Sequence, residues 1–193
     1  TTVLAGMTTV QLSGLTSTDV GAITSAQLNA LTTVQIAHLT STQLNGLSVA
    51  QAASLSTQNF GALTSTQIAS LTATQITAFS TTAMGGLTTS QFSGITATQI
   101  TGLSTTTINA FSTTIFAHFT TAQLDGLTST QVRNLSTSAF GALSSTQLNS
   151  LSTVQLTSIS TTNLAAMTSS QFSGLSSFQM GQLTSTQQAA INT

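Results

Sequence analysis

The chain has 193 residues and a formal net charge of −1, with only 2% of its residues charged, against roughly 25% in ordinary soluble domains. Asp19, Asp125 and Arg133 carry all of that charge, which excludes a basic footprint for nucleic acid and the self-repulsion that holds disordered chains open; a charge this small favours association. Cysteine is absent, and with it any disulfide frame or thiolate metal site, while the apolar runs fall far short of the ~20 residues that span a bilayer.

The first residues, 1–6, read as the tail of an eight-residue phrase, with Leu4 at its sixth place. From Met7 the register continues through 23 octads to Ala190 without insertion, and Ile191–Thr193 begin another. No capping repeat is read at either end, so the expectation is a single continuous array over 1–193 that is a segment of a longer one. Position 1 (Met7, Leu15, Ile23 and onward) is always apolar, and position 2 (Thr8, Thr16, Thr24 and onward) is always Thr or Ser. Position 5 is usually Gln, position 6 is apolar except at Gln188, and position 8 is mostly Gly, Ala or Ser.

Residues 63–86, "LTSTQIASLTATQITAFSTTAMGG", show the phrase at its clearest. A position-2 hydroxyl suits a helix N-cap, and a Gln three residues later reaches back to the cap's own N–H, which makes a capping box. Thr64 with Gln67, Thr72 with Gln75 and Thr88 with Gln91 are the structural capping pairs this predicts. Positions 1 and 6 then form a hydrophobic staple, as in Leu63 with Ile68 and Leu71 with Ile76, and the small residue at position 8 lets the turn end, glycine being the most permissive.

The predicted fold is all-α, a solenoid of short capped helical turns, one per octad. A continuous helix is excluded: at roughly 100° per residue the apolar pair rotates by about 80° each octad, leaving no steady stripe. The alternative is a β-solenoid with stacked Gln ladders, which a Thr-rich, Pro-free chain also suits. Against it, positions 1 and 6 have opposite parity along a strand.

A longer period overlies the octad. Position 5 lacks Gln at Asn59, Ala83 and Thr107, each 24 residues apart, and again at Ile115, Ala139 and Asn163 after a shift of one octad. In all six the cap is Ser. Three octads per superhelical turn is the structural reading; duplication of a 24-residue gene segment leaves the same trace.

Few residues suggest a site. Asp19 replaces a position-5 Gln and reads as structural. His38 and His118 stand at position 8 ten octads apart, without a nearby carboxylate, and make no metal set and no general base for a nucleophile; no cofactor and no enzymatic role is expected. Asp125 and Arg133, both at position 7 of consecutive octads, are expected to stack as a weak surface pair. Asn134 opens the one N-x-Ser/Thr match, as a poor acceptor. The regular hydroxyls are the remaining feature: Thr64, Ser65, Thr66, Thr72 and Thr74 represent candidate O-glycan acceptors, a lattice that orders ice or contacts carbohydrate, or a plain polar coat.

The stretch "LTSTQIASLTATQITA" resembles the L-[TS]-x-x-Q-[LIF]-x-x octad arrays of very large bacterial surface and secreted proteins, described as adhesin-like or haem-utilisation-like. The resemblance implies an extracellular or cell-surface stalk, fibre or surface layer, with self-association into fibres and glycans as expected partners and neither nucleic acid nor a membrane span. It carries over no catalytic residue, and with His38 and His118 isolated there is no haem-ligand constellation.

Overall fold

The computed structural model describes residues 2–191, with side chains from residue 4; Thr1, Asn192 and Thr193, from the two partial octads, lie outside the described residues. Twenty-four helices of four to seven residues follow one another, and no strand occurs among the described residues. The architecture is therefore the helical solenoid, and the β alternative falls.

Each octad makes its turn in the same way. The position-2 residue is held extended, as Thr64 is at φ −78° and ψ 162°, and its side chain accepts from the N–H three residues on. One helical turn later the next position-1 residue is extended again, as Leu71 is at φ −65° and ψ 143°. Two extended residues therefore redirect the chain at every corner, and the next cap begins before a longer helix can grow. Helices this short are unstable alone, so packing must hold them.

The chain divides into two compact units, Thr1–Ile95 and Thr96–Thr193. Within the first, helix Ser17–Ala22 packs on Ser41–Asn45, which packs in turn on Ser65–Ser70, and every other pair of closely packed helices is likewise separated by two intervening helices. Within the second, Thr113–Ala117, Thr137–Gly141 and Thr161–Ala165 stack by the same rule, as do Ala97–Gly102 and Thr121–Asp125. Three octads thus complete one coil in each unit, and the 24-residue period of the sequence is a structural one.

Positions 1 and 6 fill the interior of each unit. Ile68, Ile76 and Phe92 in the first, and Ile108, Phe116 and Leu148 in the second, are fully buried at position 6. Position-1 residues such as Leu63, Leu71 and Leu143 are buried at 2–3% exposure. Burying a side chain of this size contributes roughly 1.5–3 kcal/mol. Phenylalanine clusters where position 5 lacks Gln: Phe116 and Phe119 stack at 5.2 Å with 9° between ring planes, beside Phe111.

Two expectations need correction. Among the described residues no glycine has a positive φ, so position-8 glycine does not end the helix through a left-handed cap. It does stand at the helix end in right-handed backbone, as Gly46 does at φ −72° and ψ −15°, and it also admits the neighbouring coil: a Cβ on Gly46 would collide with the Ser17 carbonyl, and one on Gly94 with that of Ser65. Asp125 and Arg133 do not stack either. With three octads per coil, residues eight apart lie on adjacent sides, and stacking requires a separation of 24; both side chains are exposed.

Candidate functional site

The residues with the most chemistry in each octad are the cap and the position-5 glutamine. Gln67 accepts the Thr64 N–H at 2.7 Å through Oε1, while its own N–H donates to Thr64 Oγ1 at 3.2 Å. Thr72 and Gln75 repeat this at 2.9 and 3.2 Å, with the Thr72 hydroxyl donating to Oε1 at 3.1 Å. Thr88 and Gln91 do so at 3.0 and 3.2 Å. All six predicted capping residues are thereby placed in three closed boxes.

The glutamine has a second task that the sequence reading missed. Gln67 is 5% exposed, and its Nε2 donates to the carbonyls of Ile36 at 3.1 Å and Leu39 at 2.7 Å, in the coil below. Gln75 donates to Leu44 and Leu47 at 3.1 and 2.8 Å, and Gln91 to Gly61 and Leu63, both at 2.9 Å. In the second unit Gln131, Gln147 and Gln155 bond the carbonyls 31 and 28 residues before them. One amide closes a helix start with its oxygen and pins that helix to the previous coil with its nitrogen. The signal was present: a buried Gln needs acceptors for its amide nitrogen, and the cap supplies none.

Where position 5 is neither Gln nor Asp, as at Asn59 and Ala139, the cap's N–H loses the acceptor three residues on. Asn109 restores it for Ser136: its Oδ1 accepts the Ser136 N–H at 2.8 Å and its Nδ2 donates to the Asn134 carbonyl at 2.7 Å. In the first unit Asn29 does the same for Ser56, with 2.7 Å to the Ser56 N–H and 2.7 Å to the Ser54 carbonyl. Asn59, one methylene shorter than Gln, reaches only down, to Leu31 at 3.3 Å.

The remaining candidates stay apart. His38 and His118 are exposed, and in each Nδ1 bonds the carbonyl four residues back, Val34 or Thr114, at 2.7 Å. No group of three His, Cys, Asp or Glu able to hold a metal occurs among the described residues. Asp19 takes the place of Gln in a capping box, accepting from the Thr16 hydroxyl at 2.6 Å and the Thr16 N–H at 2.8 Å. Those two bonds hold its carboxyl below the ordinary 3.8. Asn134 caps Ser129–Arg133, and its amide donates to the Thr130 carbonyl at 2.8 Å. No helix among the described residues is long and apolar enough to cross a membrane.

The candidate glycan acceptors separate into two kinds. The Thr64 and Thr72 hydroxyls serve the caps, and Ser65 is half-buried. Thr66 and Thr74, at position 4, are exposed, with hydroxyls that bond to none of the described residues. Position 4 also carries the exposed apolar side chains Val10, Val34, Val154 and Phe178; Val34 follows Val10, and Phe178 follows Val154, by one coil. At the last coil a cavity of about 330 Å³ is lined by Leu164, Met167, Thr168, Phe172 and Ile191, among others.

The model of the ALTTAQ repeat matches residues 20–57, 36–73 and 116–153. Over those residues the chain is similar to that repeat, which supports an octad-type repeat there. No curated protein and no solved structure matches the chain.

Proposed function

We propose that the chain is a structural segment, a repeat column serving as a stalk or filament element at the cell surface and presenting a Ser/Thr coat open to O-glycosylation. The observation that supports this reading is where the polar chemistry goes. From Gln35 onward the position-5 glutamine amides are buried and, as at Gln67 and Gln131, joined to caps and to preceding coils, so the groups best able to grip a ligand hold the column together. What faces outward is largely hydroxyl and nearly uncharged, interrupted by exposed apolar side chains such as Val34 and Val154. The surface location rests on the resemblance to octad arrays of bacterial surface proteins, and the glycan reading on the unengaged hydroxyls of Thr66 and Thr74. Small-angle scattering of the purified chain is expected to give the profile of an extended particle, and intact mass of native material an excess in hexose-sized steps. A compact, non-associating particle would overturn the structural reading; an unmodified mass would leave the coat bare.

A second reading, a face that orders ice or contacts carbohydrate, is favoured by one specific pattern. In every third octad, from "LTST" at Leu15 through "FSTT" at Phe111 to "LTST" at Leu183, positions 2, 3 and 4 are all Ser or Thr, so one side of each coil is hydroxylated throughout. Thermal hysteresis or glycan-array binding that disappears when Thr42, Thr66 and Ser90 are changed to Lys would support it. No activity in the unchanged chain would remove it.

A further inference from the structure

The asparagines among the described residues divide by what holds their amides. Asn29 and Asn109 use both amide atoms to close caps a coil away. Asn59 and Asn163 are buried and donate to the Leu31 and Leu135 carbonyls, and Asn134 donates to the Thr130 carbonyl. Asn45 and Asn149 are exposed, and their side chains bond to none of the described residues. Ser150 follows Asn149, whereas Asn45–Gly46 is the one Asn-Gly pair in the sequence. The corner that holds this pair is tight. Asn45 ends helix Ser41–Asn45, and the Gly46 N–H donates to the Gln43 carbonyl at 3.0 Å. Gly46 lies over the Ser17 carbonyl, and its own carbonyl lies over Gly21, so neither glycine has room for a Cβ. The coil beneath thus requires glycine at 46, and glycine leaves the peptide nitrogen after Asn45 without the side chain that shields it elsewhere.

We propose that Asn45 is the site at which the chain deamidates, and that the conversion loosens the first unit at helices Ser17–Ala22 and Ser41–Asn45. The Gly46 nitrogen attacks Asn45 Cγ, the new C–N bond closes a cyclic succinimide, and the Cγ–Nδ2 bond breaks. Nδ2 leaves as ammonia, carrying the proton that Gly46 gives up. Water then opens the ring at one of its two carbonyls, leaving aspartate or isoaspartate. Attack requires the Gly46 N–H to leave the Gln43 carbonyl, so the step runs through brief local opening of one corner. The Gln43 Nε2 bonds to the Leu12 and Leu15 carbonyls hold the start of the same helix, so its end opens alone. Isoaspartate adds a backbone carbon between residues 45 and 46, where Gly46 meets Ser17 and Gly21 without slack. Either product also sets a carboxylate at a helix C-terminus, where negative charge is disfavoured. Asp125–Gly126 stands at the same octad places in the second unit and closes the same ring by losing water instead of ammonia. There Gly126 is buried and its carbonyl accepts the Thr101 hydroxyl at 2.8 Å, so that corner is expected to convert later.

The whole chain, held at mildly alkaline pH and body temperature for several weeks, tests this by peptide mapping with fragmentation and by enzymatic methylation of isoaspartate. Conversion at Asn45 is expected to run several-fold ahead of Asn149, with isoaspartate as the main product. Asn45→Gln should remove the conversion at that place and leave helix content unchanged by circular dichroism. In concentrated urea, conversion at Asn45 should quicken at least several-fold; equal rates in urea and buffer overturn the opening step. Hydrogen exchange of the converted chain should show lost protection over 17–22 and 41–47 and an unchanged second unit. An Asn45 that stays an amide in the folded chain, or converts no faster than Asn149, overturns the inference. Full protection after conversion overturns the loosening.

Discussion

The side chain of Asn109 performs for Ser136 what a glutamine at 139 would perform, accepting the Ser136 N–H at 2.8 Å from the preceding coil. Position 139 is alanine and its helix has no closed capping box, so the two residues form a substitute across 27 positions. Asn109→Ala should therefore cost about 1 kcal/mol or more, the usual loss when a bonded partner is removed. Ala139→Gln in that variant should recover part of the loss, whereas Ala139→Gln alone should gain little, its place being taken. Urea midpoints of the four chains, with hydrogen exchange at the Ser136 amide, give the cycle.

The cap and the glutamine are expected to weigh differently. Thr72→Ala removes one capping hydroxyl and should cost about 1 kcal/mol. Gln75→Ala strands the Thr72 N–H and the Leu47 carbonyl together and should cost about 2–4 kcal/mol, as two groups lose partners. Both are read from denaturant unfolding.

Gln75→Glu adds a dependence on pH. The new carboxylate still accepts from Thr72, but when ionised it meets the Leu44 and Leu47 carbonyls with no proton to offer. Its folded pKa is thus raised above the unfolded value, so the folded state binds more protons, and the variant's stability relative to the parent should rise as pH falls through the raised value. Stability measured from pH 4 to 8 checks the sign. Asp19 runs the other way: its carboxyl is held low by Thr16, so its contribution is present above the unfolded pKa and is lost as pH falls through the folded one, a titration that NMR can follow.

Two glycines should respond oppositely. Gly94→Ala drives a Cβ into the Ser65 carbonyl and should destabilise by about 1–3 kcal/mol through overpacking. Gly141 has nothing within 4 Å of a built Cβ and helical backbone, so Gly141→Ala should stabilise by about 0.4–1 kcal/mol. Thermal melts of the two variants suffice.

Leu71→Asp places a charge where exposure is 3%, among the apolar side chains of positions 1 and 6, and should cost several kcal/mol. Circular dichroism on heating should show it as lost local helix.

The helices were legible because their start signals are local: Thr64 and Gln67 lie three residues apart and define a cap by themselves. The three-octad coil was legible because Asn59, Ala83 and Thr107 mark every third octad. The role of Gly46 was not legible, since nothing within its octad reveals the Ser17 carbonyl opposite it, and a helix end offered a ready local explanation. The pairing of Asp125 with Arg133 failed through a period error, since position within the octad fixes depth in the coil and says nothing about which side. Asn29 and Asn109 were missed because their partners lie a coil away, at a spacing that has meaning only once three octads are known to make a turn.

The glutamine bonds span 28 to 31 residues whether they occur early or late in each unit. Every further coil therefore closes a loop of the same size, with the same entropic cost, and adds no contact of longer range. Relative contact order falls as such a column lengthens, so growth by 24 residues should not slow its folding in the way that adding strands slows a β-sandwich. A chain of this kind can be extended during synthesis, each coil settling on the one already formed, and its length is set by the number of copies of the phrase rather than by any limit in its core.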